Sequence, residues 1–270
     1  MYQDNILILY RFRYLKWSLI LISICIGLYV YDEPPIRAGG GTWLGYTLGT
    51  IGAILILWLM LFGLRKRAYK SNLGTVRGWL SAHIYLGLSL VIITTLHAAF
   101  HFAWNIHTLT YILTIIVVFS GMGGVVLYLH HPALMGKLLQ GRTLEQWAGV
   151  LLEFDVKSRQ IGVGLSAEIQ QMIENSASSK IFTYPWQRYF GKHRGCSTRK
   201  FVTYLSTHSS DQKIQELYKV QLRRQLQLNQ IREFSRLKGW TEIWLMFHVP
   251  LSFALLATLI AHIVSVFFYW

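Results

Sequence analysis

Four histidines in this chain form two pairs with the same spacing. His83 and His97 are fourteen residues apart on one long uncharged stretch, and His248 and His262 are fourteen apart on another. Fourteen residues of helix rise about 21 Å and complete nearly four turns, so both members of a pair leave almost the same face. Two such helices side by side set opposing neutral imidazoles at two depths. That is the geometry for clamping two non-covalent haem b groups, each iron ligated from both sides: His83 with His248, and His97 with His262. Zinc fits less well, because its ligand sets are tighter and the two levels here are about 21 Å apart. No C-x-x-C-H stands ready for covalent haem. The two cysteines, Cys25 and Cys196, belong to different elements and form neither a pair nor an iron–sulfur cluster.

The stretches that carry these histidines are too apolar for a soluble domain. The 270 residues are 53% hydrophobic and 14% charged, which is the composition of a membrane protein. A bilayer crossing needs about 20 apolar residues, and five stretches qualify: 14–31, 42–64, 79–104, 109–129 and 243–270. The first follows Arg11, Arg13 and Lys16 as a signal peptide would. It lacks a small-residue cleavage site and ends in an aromatic belt at 29–31, so it reads as a span. Pro132 is expected to stop the fourth helix after His130 and His131. The fold class is therefore an all-α bundle of five transmembrane helices with a helical insertion. Residues 1–131 carry four spans, 132–240 form the insertion, and 241–270 carry the fifth span.

Charge orients the bundle. Of the 26 lysines and arginines, three lie by the first span, five in 65–77 and seventeen after His131, all on one side; Arg37 alone lies on the other. This bias puts the N-terminus and 132–240 in the cytoplasm and the C-terminus opposite. Small size and strong bias point to a bacterial inner membrane. The formal net charge of +14 is then mainly a topology signal, and no basic-aromatic repeat or fold motif supports nucleic-acid binding.

With that topology the third and fifth spans run parallel. His83 then matches the depth of His248, near the cytoplasm, and His97 that of His262. His101, one helical turn beyond His97, is an alternative outer ligand or a contact for a propionate or proton path. Gly87, one turn from His83, leaves room for a haem edge, although helix packing explains it equally. The same choice applies to Gly45, Gly49 and Gly52 in the second span and to Gly121, Gly123 and Gly124 in the fourth. Arg77, Arg236 and Lys238 are placed to meet inner propionates or to anchor the spans. His107 reads as a solvated loop residue.

In the insertion, 138–152 reads as an amphipathic helix on the membrane surface, 165–175 as helix and 182–201 as loop. Ile214, Leu217 and Val220, then Leu228, Ile231 and Phe234, form a helical stripe interrupted by Arg224 that runs into the fifth span. The stretch 161–166 has two glycines but not the third that a nucleotide site requires.

At His83…Leu96-His97-Ala98-Ala99-Phe100-His101 and His248…His262 the chain resembles the ferric reductase and NADPH oxidase transmembrane family, over about 100 residues. The resemblance implies paired haem ligands on the third and fifth spans and a further histidine, here His101, beyond the outer one. That family carries a flavin- and nicotinamide-binding domain after a sixth span. Here the sequence stops at Trp270, so the donor is expected to be a separate cytoplasmic or periplasmic electron-transfer protein, a quinone or another subunit of a redox complex. Two other readings use the same residues: a histidine-lined proton or metal transporter, for which the spans lack carboxylates, and a structural or assembly subunit.

Overall fold

The computed structural model describes residues 6–34, 39–68, 70, 72–182, 184–191, 193, 195–208 and 211–268. Arg37, Tyr269 and Trp270 lie outside them. Among the described residues there is no strand, and five helices are long and apolar enough to cross a membrane. The protein is an all-α integral membrane protein. Its chain divides into two compact units: residues 1–126 with 244–270, and residues 127–243.

The first unit is built on three antiparallel helices: α1 (Leu9–Tyr31), α2 (Trp43–Arg67) and α3 (Val76–Ala98). Tyr10, Arg11 and Phe12 adopt left-handed backbone angles, so the uninterrupted right-handed run of α1 begins where the 14–31 span was expected. Thr42 and Thr75 cap α2 and α3, their hydroxyls accepting from the N–H groups of Gly45 and Gly78 at 3.0 Å. Arg65, buried near the end of α2, donates to the carbonyls of Ala68 and Gly74, so this cation also has a structural use. Small polar side chains join α1 to α3: Ser18 Oγ lies 2.6 Å from Ser89 Oγ and donates to the Tyr85 carbonyl. Cys25, Leu44, Leu48 and Ile93 fill the space between the first three helices. Ile56 and Leu90 pack with Leu255 and Leu259 from the last helix, α9 (Gln212–Phe268).

Two helix ends differ from expectation. The third span stops at Ala98, because Ala99 and Phe100 turn left-handed. His101 is therefore exposed and off the helix, and does not follow His97 by one turn. The fourth helix, α4 (Ile106–Leu139), continues through Pro132. A proline inside a helix removes one N–H and crowds the carbonyl four residues back, which bends a helix more readily than it ends one inside a long apolar run.

The second unit holds α5 (Leu144–Gly162), α6 (Ala167–Ala177), α7 (Gln187–Phe190), α8 (Ser197–Thr207) and the first half of α9. Thr143 and Gln146 form a capping box that starts α5. The apolar face of α5 is buried: Trp147 and Leu151 pack with Cys196, Leu228 and Ile231. It forms part of the insertion's own core, not an amphipathic face left for the membrane. A second cluster joins Ile169, Ile173, Phe201, Leu205 and Leu217. The stretch 182–201, expected as loop, contains α7 and the start of α8.

Arg224, which broke the apolar stripe, is buried, and a carboxylate explains it. Its guanidinium donates to Asp155 at 2.6 and 3.3 Å and to Thr198 at 2.5 Å. Thr198 meets Ser176, which donates to Gln221, and Gln221 donates to Ser158. The stripe is thus continuous in burial, with a satisfied polar network in the middle. The segment 214–237 does run into the fifth span, as one helix with Pro250 inside it.

Candidate functional site

All four paired histidines belong to the first unit, His83 and His97 on α3, His248 and His262 on α9. The structure brings one of the two pairs into ring contact. The rings of His97 and His262 have centroids 5.9 Å apart at 78° to each other.

Each ring is held by its surroundings. Nδ1 of His97 lies 2.8 Å from the carbonyl oxygen of Gly45, to which it donates when protonated. A Cβ at Gly49 would stand 2.8 Å from His97 Cε1, so this glycine is where the ring sits against α2. Gly52, by contrast, faces Thr94 and Leu90 at ordinary packing distance. Nδ1 of His248 is 2.7 Å from Ser120 Oγ. The ring stacks on Trp244, whose indole N–H donates to the Ser120 carbonyl at 2.8 Å. Gly121 and Gly124 make this possible. A Cβ on Gly121 would touch His248, and one on Gly124 would overlap the indole of Trp244. Both clusters of glycines on α2 and α4 thus accommodate histidines or their immediate support as well as helices.

His83 packs on Phe62 at 5.1 Å. The backbone of Leu59 approaches its ring, yet Nδ1 meets no partner at hydrogen-bonding distance and angle. One turn along, Gly87 is buried, but nothing stands within 4 Å of where its Cβ would be. An orphaned imidazole nitrogen beside unfilled space on the same helix face suits a group that enters from outside the chain.

One of the two pairs has the separation that a bis-imidazole haem would require. Two imidazoles on opposite sides of one metal ion, each nitrogen about 2 Å from it, put their ring centroids roughly 6 Å apart, the separation found for His97 and His262. Engaging Nδ1 with a carbonyl or hydroxyl fixes the tautomer and leaves Nε2 as the ligand nitrogen. Among the described residues no group of three or more His, Cys, Asp or Glu side chains is arranged to hold a metal ion. A haem would need only two protein ligands at each level, the number that one histidine pair could supply.

His101 is exposed beyond the end of α3. Arg77 is exposed in the first turn of α3, and Arg236 and Lys238 pair with Glu233 and Glu242. His107, read as a solvated loop residue, instead opens α4, with Nδ1 2.6 Å from Nδ1 of His262. No periodic signal marked it, because its partner lies 155 positions away. Comparison with protein-family models, curated proteins and solved structures gives no significant match.

Proposed function

We propose that this protein is a membrane cytochrome b that carries electrons across the bilayer through two bis-histidine haems, as a subunit of a redox complex. What supports the reading is the equal fourteen-residue spacing of the two pairs, the ring contact of His97 with His262 at 5.9 Å, and the engagement of Nδ1 in three of the four rings. His83 and His248 hold the inner group, and His97 and His262 the outer one. A six-coordinate haem supplies a reversible one-electron couple and offers no open metal position to oxygen or substrate.

The chain's own residues do the rest. The Gly45 carbonyl and Ser120 hydroxyl orient the ligands. Phe62, Trp244 and the leucine-rich packing around Leu90 and Leu259 keep water from the interior, which sets the polarity in which the iron changes charge. The charge bias supports placing the N-terminus and the 127–243 unit in the cytoplasm of a bacterial cell, with the C-terminal end opposite. The basic unit suits an acidic electron-transfer protein, whose association weakens with salt. Quinone is the alternative exchange partner at either face.

Haem quantification and optical redox titration of the purified full chain test the reading. Two haems per chain with reduced b-type bands are expected. His83→Ala and His248→Ala each remove one and the same haem, and His97→Ala and His262→Ala the other. A colourless wild-type preparation refutes the function. Loss of one haem by a mixed pair, such as His83 and His262, refutes the pairing.

A further inference from the structure

Among the described residues, His107 makes the shortest side-chain hydrogen bond to any of the four paired imidazoles. It lies in the first turn of α4, its ring 4.6 Å from that of His262 and at 85° to it, with the two Nδ1 atoms 2.6 Å apart. At that distance one nitrogen donates and the other accepts. His262 therefore spends Nδ1 on His107 and keeps Nε2, while its other neighbour is His97. A bond whose purpose was only to tie α4 to α9 is already supplied one turn further in, where Thr110 Oγ1 donates to the Thr258 carbonyl at 3.1 Å. His107 is exposed, so burial does not oblige it to find a partner either.

We infer that His107 is a positioning residue for His262: its Nδ1 accepts the Nδ1 proton of His262, fixes the tautomer that presents Nε2, and so sets the affinity and potential of the outer haem site. The inference rests on the dihaem reading. His107 must then carry its own proton on Nε2. An acceptor at the far nitrogen of a ligating imidazole makes that imidazole a stronger donor to iron and favours the oxidised ion. His97 has the equivalent acceptor in the Gly45 carbonyl and His248 in Ser120. The outer site is thus completed by a third histidine that no spacing rule links to the other two.

The test uses the full chain in detergent, with wild type, His107→Ala, His107→Asn and His262→Ala compared side by side. Haem content, the rate of haem release to an excess of a scavenger protein, and midpoint potentials are read in each. His107→Ala is expected to weaken retention of one haem about ten- to a hundredfold and to raise its potential. The haem affected is the one that His262→Ala abolishes. His107→Asn, whose amide oxygen accepts a hydrogen bond, restores both values at least in part. If His107→Ala keeps two haems with unchanged release rates and potentials, the inference falls while the dihaem reading stands. It falls likewise if the asparagine variant is no better than alanine. A wild-type chain that binds no haem removes the dihaem reading and this inference together.

Discussion

Replacing Asp155 with alanine should come close to unfolding the 127–243 unit. The side chains of Arg224 and Asp155 are 3% and 7% exposed, with Nε and Oδ1 2.6 Å apart. Removing the carboxylate leaves a guanidinium that cannot lose its proton, buried with Thr198 as a neutral partner. Breaking a buried pair from one side costs about 3–5 kcal/mol, and Coulomb attraction at about 4 Å with an effective dielectric near 20 gives about 4 kcal/mol. Against a domain stability of about 5–15 kcal/mol this is a large fraction, and it lowers the melting temperature on the order of 10 °C or more. The double replacement Asp155→Leu with Arg224→Met removes the uncompensated charge and should recover most of the loss. Thermal unfolding in detergent, followed by near-ultraviolet circular dichroism of the packed Trp147, reads the effect. An Asp155→Ala melting point within 2 °C of wild type would refute the argument, since the pair would then contribute almost nothing.

Gly49→Leu forces His97 off its seat on α2 and should reduce haem content to about one per chain, with the outer haem lost. Overpacking of this kind costs about 1–3 kcal/mol, so the chain itself should still purify. Ser120→Ala frees Nδ1 of His248 and should speed release of the inner haem about tenfold or more, with the outer haem unaffected. At the Cys196 thiol burial acts upward, but the backbone of Arg199 and the guanidinium of Arg232 outweigh it and hold the thiol below its ordinary value. In a Cys25→Ser background the alkylation rate of Cys196 should therefore reach half-maximum at a pH below the usual value of about 8.5. Arg232→Gln should move that midpoint upward, and an unmoved midpoint would discount the guanidinium.

The five crossings were legible because length and uninterrupted apolarity are properties of one segment at a time. The contact of His97 with His262 was legible for a related reason: equal spacing on two helices is a one-dimensional signal for a three-dimensional match. What escaped detection depended on partners far away in the chain. Arg224 looked like a break in a stripe because Asp155 lies 69 positions earlier, and His107 looked idle because His262 is 155 positions later. Pro132 misled in the opposite sense, since the local rule against proline in helices yields where a long apolar helix can absorb one bend. The end of α3 at Ala98 depends on left-handed turns at Ala99 and Phe100, which residue type does not announce in an alanine or a phenylalanine. Leu138–Leu152 reads as amphipathic, but its apolar face meets protein and not lipid, because sequence gives the stripe and not what lies against it.

The separation of fourteen within each histidine pair is two heptads. An ideal α-helix drifts about 20° per heptad against a strict seven-residue repeat, so each helix turns its second histidine about 40° away from its first. For both pairs to face a shared group, the tilt of α3 and α9 or their side-chain rotamers would have to take up that drift. The stretch between the ligands then behaves as a fixed ruler. Insertion of three or four residues there, in one helix alone, would put the second meeting out of phase and leave the first intact, so length change in this stretch is constrained more tightly than residue identity.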